Sequence, residues 1–456
     1  MPPRRAQIFR FPETAFFRLL GAIYLIAFAS LWPQIAGLIG ANGIAPAAET
    51  LLAMRSDYGW PVYLEVPSLF WLAPKDLCLT ALCALGCLAA LLLIFGLFVR
   101  SSAFAAYILY LSLVSIGQPF TSFQWDALLL ETGFLAIFAG SPLLSLAYRF
   151  LLFRLMFESG LVKLTSHDVN WRNLHALRYH FFTQPLPTPL AYYLQNAPDW
   201  VLDSGTLAVL LIELLVPSFL FFSSRHIRRA ALALLVLLQV LIALTGNYAF
   251  FNLLTVALCL WGLDDECYSR LKNWRLAFRP PAAFVNLPVA GVMTLSVLQI
   301  FDLQPSLFSS FEIVNPYGLF AVMTTSRVEL IVEGSDDLSN WRAYSFRYKP
   351  GDVSRNLPFV APYQPRLDWQ MWFAALGSPP QNLWVRTLVY RLLLGQAEVL
   401  ALLEPPPFGK LPHAIRVQAY SYTFTEPAER LHTGNIWRRT LLGTWLEPTS
   451  LASEKP

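Results

Sequence analysis

The chain has 456 residues, of which 56% are hydrophobic and only 14% charged. Soluble domains carry about 25% charge, so this composition excludes a disordered chain, a polar solenoid and most soluble multidomain enzymes, and it reads as a membrane protein. The net charge of +4 comes from scattered basic residues, which leaves no electrostatic footprint for nucleic acid.

The N-terminus is basic and then apolar, as in a signal peptide, but the apolar run is too long and lacks a small-residue cleavage site. It is expected to remain as the first membrane helix. A span needs about 17 to 25 apolar residues, fewer inside a bundle. About nine runs qualify, at 16–39, 77–98, 103–117, 127–144, 150–164, 207–222, 230–244, 250–262 and 284–301. Basic residues set the orientation. Arg4, Arg5, Arg10 and Arg18 place the N-terminus in the cytoplasm, and Arg100, Arg149, Arg225, Arg228, Arg229, Arg270, Lys272, Arg275 and Arg279 fall in loops that a nine-span chain also places inside. Everything after Phe301 is then outside. Cys78, Cys83, Cys87, Cys259 and Cys267 lie in or beside apolar runs and read as buried thiols rather than a disulfide framework.

Ionisable residues in membrane runs are costly and mark function or pairing. Asp126 and Glu131 open the fourth run, but five residues on a helix do not bring two carboxylates to one face, so each is expected to bond a neighbouring helix. Arg154 and Glu158, four apart, read as a structural ion pair. Lys163 ends an apolar helix and is either a desolvated base or a cation reaching for the interface. His167, His175 and His180 lack the spacing of a metal helix, and no Gly-rich phosphate loop, G-x-S-x-G elbow or paired C-x-x-C occurs. No cofactor and no metal are expected. The proline-rich stretch 183–190 reads as a rigid surface connector.

After Phe301 the charge rises to nearly a fifth of residues and no run is long enough to span. The division is therefore a helical bundle over 1–305 and an extracytoplasmic, β-rich α+β domain over 306–456. Segments 327–333 and 341–348 alternate around Gly334-Ser335-Asp336-Asp337 and predict a hairpin, 414–425 predicts a strand, and 367–376 and 382–403 predict helices. The aromatics Trp369, Trp372 and Phe373 are either core or, where exposed, a surface that receives a client or docks on the membrane helices.

Several stretches resemble the lipase maturation factor family. They are Phe123-Gln124-Trp125-Asp126 with Leu129-Leu130-Glu131, His180-Phe181-Phe182-Thr183-Gln184-Pro185-Leu186-Pro187, Asn247-Tyr248-Ala249-Phe250-Phe251-Asn252, Asn315-Pro316-Tyr317-Gly318-Leu319-Phe320, and Pro365 to Phe373 with its Asp368-Trp369-Gln370-Met371-Trp372 centre. The resemblance implies a multi-pass protein of the endoplasmic reticulum membrane with a luminal C-terminal domain, which acts as a chaperone in the folding and maturation of secreted proteins such as dimeric lipases. Its expected partners are membrane lipid and those clients. The chain is shorter than vertebrate members and has no N-x-S/T site. Those departures point to a bacterial relative in the cytoplasmic membrane. A more distant likeness, of Gly160-Leu161-Val162-Lys163-Leu164 followed by Trp171, is to vitamin K-dependent carboxylase-type transmembrane domains, and it implies an alternative: a membrane enzyme with Lys163 as base, helped by Asp126 or His180. The discriminating observation is whether these three residues converge on one cavity. Transport is disfavoured, since no inverted repeat is evident.

Overall fold

The computed structural model describes residues 11–263, 282–303 and 305–451. Its first part is helical: α1 (Phe11–Ile39), α2 (Ala47–Tyr58), α3 (Val62–Glu65), α4 (Asp76–Ile94), α5 (Val99–Ile116), α6 (Gln124–Ala136), α7 (Leu144–Thr165), α8 (Val169–Arg172), α9 (Ala176–Thr183), α10 (Pro189–Gln195), α11 (Asp199–Leu214), α12 (Arg225–Thr245), α13 (Phe251–Cys259), α14 (Ala282–Ile300) and α15 (Ser306–Ser310). Among the described residues six helices are long and apolar enough to cross a membrane: those at 13–39, 76–94, 99–116, 199–221, 225–245 and 283–300. The protein is thus a multi-pass helical membrane protein.

Three of the nine apolar runs fall outside those six by length or by charge. Helices α6 and α13 are short, at 13 and 9 residues. Helix α7 is long enough but carries Arg149, Arg154, Glu158 and Lys163. All three are lined with buried residues, and charge at membrane depth is tolerated where neighbouring helices cover it. Hydrogen bonds show how the helix ends meet. Arg100 Nε at the start of α5 donates to Ile137 O just past α6 (2.9 Å), and Arg149 Nε near the start of α7 donates to Trp261 O just past α13 (2.8 Å). The expected inside arginines 100 and 149 therefore hold neighbouring helices at the ends opposite to where Asp76 Oδ1, opening α4, accepts from Ala41 N after α1 (2.9 Å).

Helices α1 and α4 pack backbone to backbone because glycines allow it. A Cβ on Gly21 would lie 2.8 Å from Ile94 N, and one on Gly86 would lie 2.3 Å from the Phe28 ring. Small residues at a helix contact gain dispersion where no hydrophobic drive exists in lipid. Cys83 and Cys259 are buried and Cys78 and Cys87 half-buried, all four with free thiols, while Cys267 lies outside the described residues.

The C-terminal part contains β1 (Arg327–Ser335), β2 (Arg342–Ala343), α16 (Arg366–Ala375), α17 (Leu383–Leu393), α18 (Ala397–Leu400), β3 (Ala414–Phe424), α19 (Pro427–Thr433) and β4 (Trp437–Thr449). The sheet is antiparallel in the order β2-β1-β3-β4. The predicted hairpin forms but is short: Arg342 and Ala343 pair with one edge of β1 and Tyr344 N donates to Val332 O (2.8 Å), while the other edge of β1 pairs with β3 in the register Arg327↔Tyr422 to Ser335↔Ala414. The predicted helix 382–403 breaks into α17 and α18 at Gly395, where a φ of +66° suits glycine and few other residues. Buried apolar residues of the sheet and of α16 and α17, such as Val332, Ile415, Leu388 and Met371, are continuous with the core of the bundle.

Candidate functional site

The contact between the two parts is built from buried charges. Arg366, at the start of α16, is fully buried and lies against Asp126, also fully buried, at the start of α6. Its Nη1 donates to Asp126 Oδ2 (2.9 Å) and Phe120 O (2.6 Å), and its Nη2 donates to Asp126 Oδ1 (2.9 Å) and the Tyr110 hydroxyl (3.1 Å). The Tyr110 hydroxyl in turn donates to Asp126. A buried charge is tolerable only when so paired.

A second cluster gathers the loop 312–320 onto α6 and α7. Arg154 donates to Glu131 (2.7 Å), Ser296 (2.9 Å) and Asn315 O (2.5 Å), while Glu131 accepts from Asn315 N (3.0 Å) and the Tyr317 hydroxyl (2.8 Å). Glu158 is the longer partner of Arg154, at 3.4 Å, and also accepts from Tyr317 N at 2.9 Å. The predicted Arg154–Glu158 pair exists, but Glu131 is nearer. Asp126 and Glu131 bond different partners, as their spacing on α6 requires. Burial, reinforced by Glu131, holds the Tyr317 hydroxyl well above the usual phenol range. Glu312, on the same loop, is pushed up to about 7 by burial and by the charges of Asp126 and Glu131.

The proline-rich stretch is not a surface connector. Residues 183–188 are all buried, because β1 and the segment 358–361 close over them. Arg327 of β1 donates through Nη1 to Phe182 O (3.0 Å) and Gln184 O and through Nη2 to Pro185 O (2.8 Å). Asn247, just past α12, donates to Leu186 O (3.1 Å) and Pro358 O (2.9 Å) and accepts from Val360 N (2.6 Å) and Ala361 N (3.0 Å). Proline leaves carbonyls without the matching N–H, so the stretch offers acceptors that arginine and asparagine can read.

Lys163 and His180 line one cavity of about 90 Å³, whose walls include Met156, Trp171, Val209, Ile242, Phe251 and Phe320. Asp126 is not among its lining residues, so the three candidates for an enzyme site do not converge. Lys163 is buried, with Nζ donating to Glu213 Oε2 (2.7 Å) and Ser159 O (3.1 Å) and lying 5.2 Å from the Trp171 ring. That is the arrangement of a structural ion pair, whereas a base needs an amine free to face its substrate. His180 is lowered to about 4 by burial and by Lys163, so its imidazole is neutral at pH 7. Sequence reasoning passes over Glu213, although an acid inside the run 207–222 carries the same signal as Lys163.

The three aromatics on α16 divide. Trp369 is buried against Phe123, Trp125 and Tyr248 and is core, not surface. Trp372 is half-buried, its Nε1 donating to Thr183 O (2.8 Å). Phe373 is 42% exposed and, with Leu376 at 52%, meets the condition of an accessible apolar surface.

The lipase maturation factor transmembrane domain matches residues 11–270, and the lipase maturation factor C-terminal domain matches residues 313–447. Lipase maturation factor 2 of Homo sapiens is 34% identical over 97% of this chain and 83% of its own length. Lipase maturation factor 2 of Xenopus laevis is 32% identical over 94% and 81%, and lipase maturation factor 1 of Bos taurus 32% over 98% and 90%. No solved structure matches. Matches to both parts, spanning the residues that join them, establish that this chain belongs to the lipase maturation factor family.

Proposed function

We propose that the protein is a membrane-held assembly factor that assists the folding and maturation of secreted proteins, lipases among them. Its C-terminal domain, taken as the part from residue 306 onward, faces the lumen of the endoplasmic reticulum, or the periplasm if the chain is bacterial. The observation that carries the reading is the docking itself. Asp126, Glu131, Arg154 and Arg366 are all buried where the C-terminal part meets the bundle, so the domain is fixed at one end of it. Exposed apolar residues such as Phe373 and Leu376 are thereby held beside the membrane, where they can cover apolar surface on a partly folded client and limit its aggregation until subunits pair. The basic residues at the opposite helix ends support this orientation.

The test is co-expression with a secreted dimeric lipase in cells lacking their own maturation factor. The chain should raise secreted lipase activity per lipase synthesised, and Phe373→Asp should remove most of that gain at unchanged membrane abundance. Lipase output that ignores the wild-type chain overturns the reading.

A further inference from the structure

We propose that the cavity between α7, α11, α12 and the loop at Phe320 is a binding site for a neutral lipophile that donates one hydrogen bond, a fatty alcohol in chemical class. The size comes first. On the same measure one water-sized group needs roughly 10–15 Å³, so about 90 Å³ admits a chain end of some six to nine heavy atoms. The walls are mainly apolar, which favours an alkyl chain over water.

The polar groups set the head. Lys163 and Glu213 cancel each other's charge, so a further ion would enter a low-dielectric space uncompensated. Lys163 engages Glu213 through Oε2, which leaves the other carboxylate oxygen to accept. The Tyr248 hydroxyl donates to Gln184 Oε1 (2.8 Å) and is left to accept from His180 Nε2, 3.4 Å away. With Nε2 carrying the proton, Nδ1 of the neutral ring is an acceptor as well. The site thus presents acceptors beside the third N–H of Lys163, which Glu213 and Ser159 leave free. An alcohol both donates to those acceptors and accepts from Lys163, a methyl ester only accepts, and a fatty-acid carboxylate brings a charge that Glu213 repels. Because Phe320 forms part of the wall and its carbonyl accepts from Trp171 Nε1 (2.9 Å), an occupant would brace the loop that joins bundle and domain.

The experiment uses the purified full chain in nanodiscs and a diazirine-bearing fatty alcohol, with labelled residues located by mass spectrometry. Saturable labelling at the cavity wall is expected, competed by 1-heptanol at least tenfold better than by methyl hexanoate or heptanoate. Val209→Phe and Ile242→Phe, which fill the space, should reduce labelling several-fold. Glu213→Gln with Lys163→Met should erase the preference for the alcohol. Labelling that does not saturate, that competes equally with all three molecules, or that persists in filled variants melting like the wild type overturns the proposal and leaves a cavity that holds water only.

Discussion

Replacing Arg366 with Met removes four hydrogen bonds at once and leaves Asp126, with no exposed surface, facing only Tyr110. An uncompensated buried charge costs about 3–5 kcal/mol. Asp126→Leu strands the guanidinium in the same way and should cost about as much by the same argument. The double variant carries no buried charge. Its remaining cost comes from the Tyr110 hydroxyl and Phe120 carbonyl left without partners, at ~1–3 kcal/mol each if neither finds water. The cycle therefore predicts a double variant more stable than either single one, with a coupling of at least about 3 kcal/mol. Thermal unfolding in detergent, read together with protease resistance of the connection 301–327, measures it. Additive losses, with the double variant falling by the sum of the two, would refute the claim that this pair fixes the domain to the bundle.

Other positions test the same contact from different sides. Gly37→Val should separate α1 from α18, since a Cβ there would lie 2.2 Å from Glu398 O and backbone cannot yield as a side chain does; cysteine cross-linking across that contact should fall while α1 still inserts. Asn247→Ala takes the side-chain partner from Pro358 O, Val360 N and Ala361 N, while Leu186 O keeps the Asn247 N–H, and should cost a few kcal/mol at ~1–3 for each group left dry, read as loss of protease resistance at 358–361. Glu312 gives a pH test. Its folded carboxyl titrates at about 7 against 4.5 ordinarily, so the folded state favours the protonated form, and that contribution is complete below pH 4.5 and lost as pH rises through 7. Glu312→Gln should therefore match the wild type below pH 4.5 and exceed it by up to about 3 kcal/mol at pH 8. Equal melting curves at pH 8 would count against a raised Glu312 carboxyl.

The membrane helices were legible because apolar length and Lys and Arg placement are local properties of the sequence. So was β3, whose 414–425 segment has ample β-branched and aromatic residues. Strand β4 escaped notice because its residues 438–442 are exposed throughout and show no buried face, and because Gly443 and Pro448 read as strand breakers. The hairpin prediction held only in part for a related reason. Alternation marks a strand but not all its partners, and β1 pairs over two residues with the adjacent segment while β3, some 85 residues on, takes its other edge along its whole length. The site residues divide along the same line. Glu158 is four residues from Arg154 and could be foreseen, whereas Glu131, Glu213 and Arg366 meet their partners only through tertiary contact. Residues 183–188 misled because proline-rich chain is ordinarily extended and exposed, and nothing local announces that Arg327, some 140 residues later, will cover it.

The stretches that carry the family resemblance take on a physical meaning once the fold is known. Asp126 and Glu131 come from the first, Gln184 and Pro185 from the second, Asn247 from the third, Asn315 and Tyr317 from the fourth, and Arg366 from the last. Each is a partner in a buried contact between the bundle and the chain beyond residue 311. None of these contacts could be kept by one part alone, because removing either leaves ions and carbonyls buried without partners. A chain that only needed a membrane anchor could use any apolar helix joined by a flexible linker. This one instead commits two buried arginine–carboxylate clusters and a covered proline segment to a fixed arrangement. The position of the C-terminal part relative to the helical bundle is thus a built feature of the fold. A truncation at residue 311 should accordingly damage the bundle as well as remove the domain. Point substitutions on exposed Phe373 and Leu376 are therefore the cleaner probe of what that domain does.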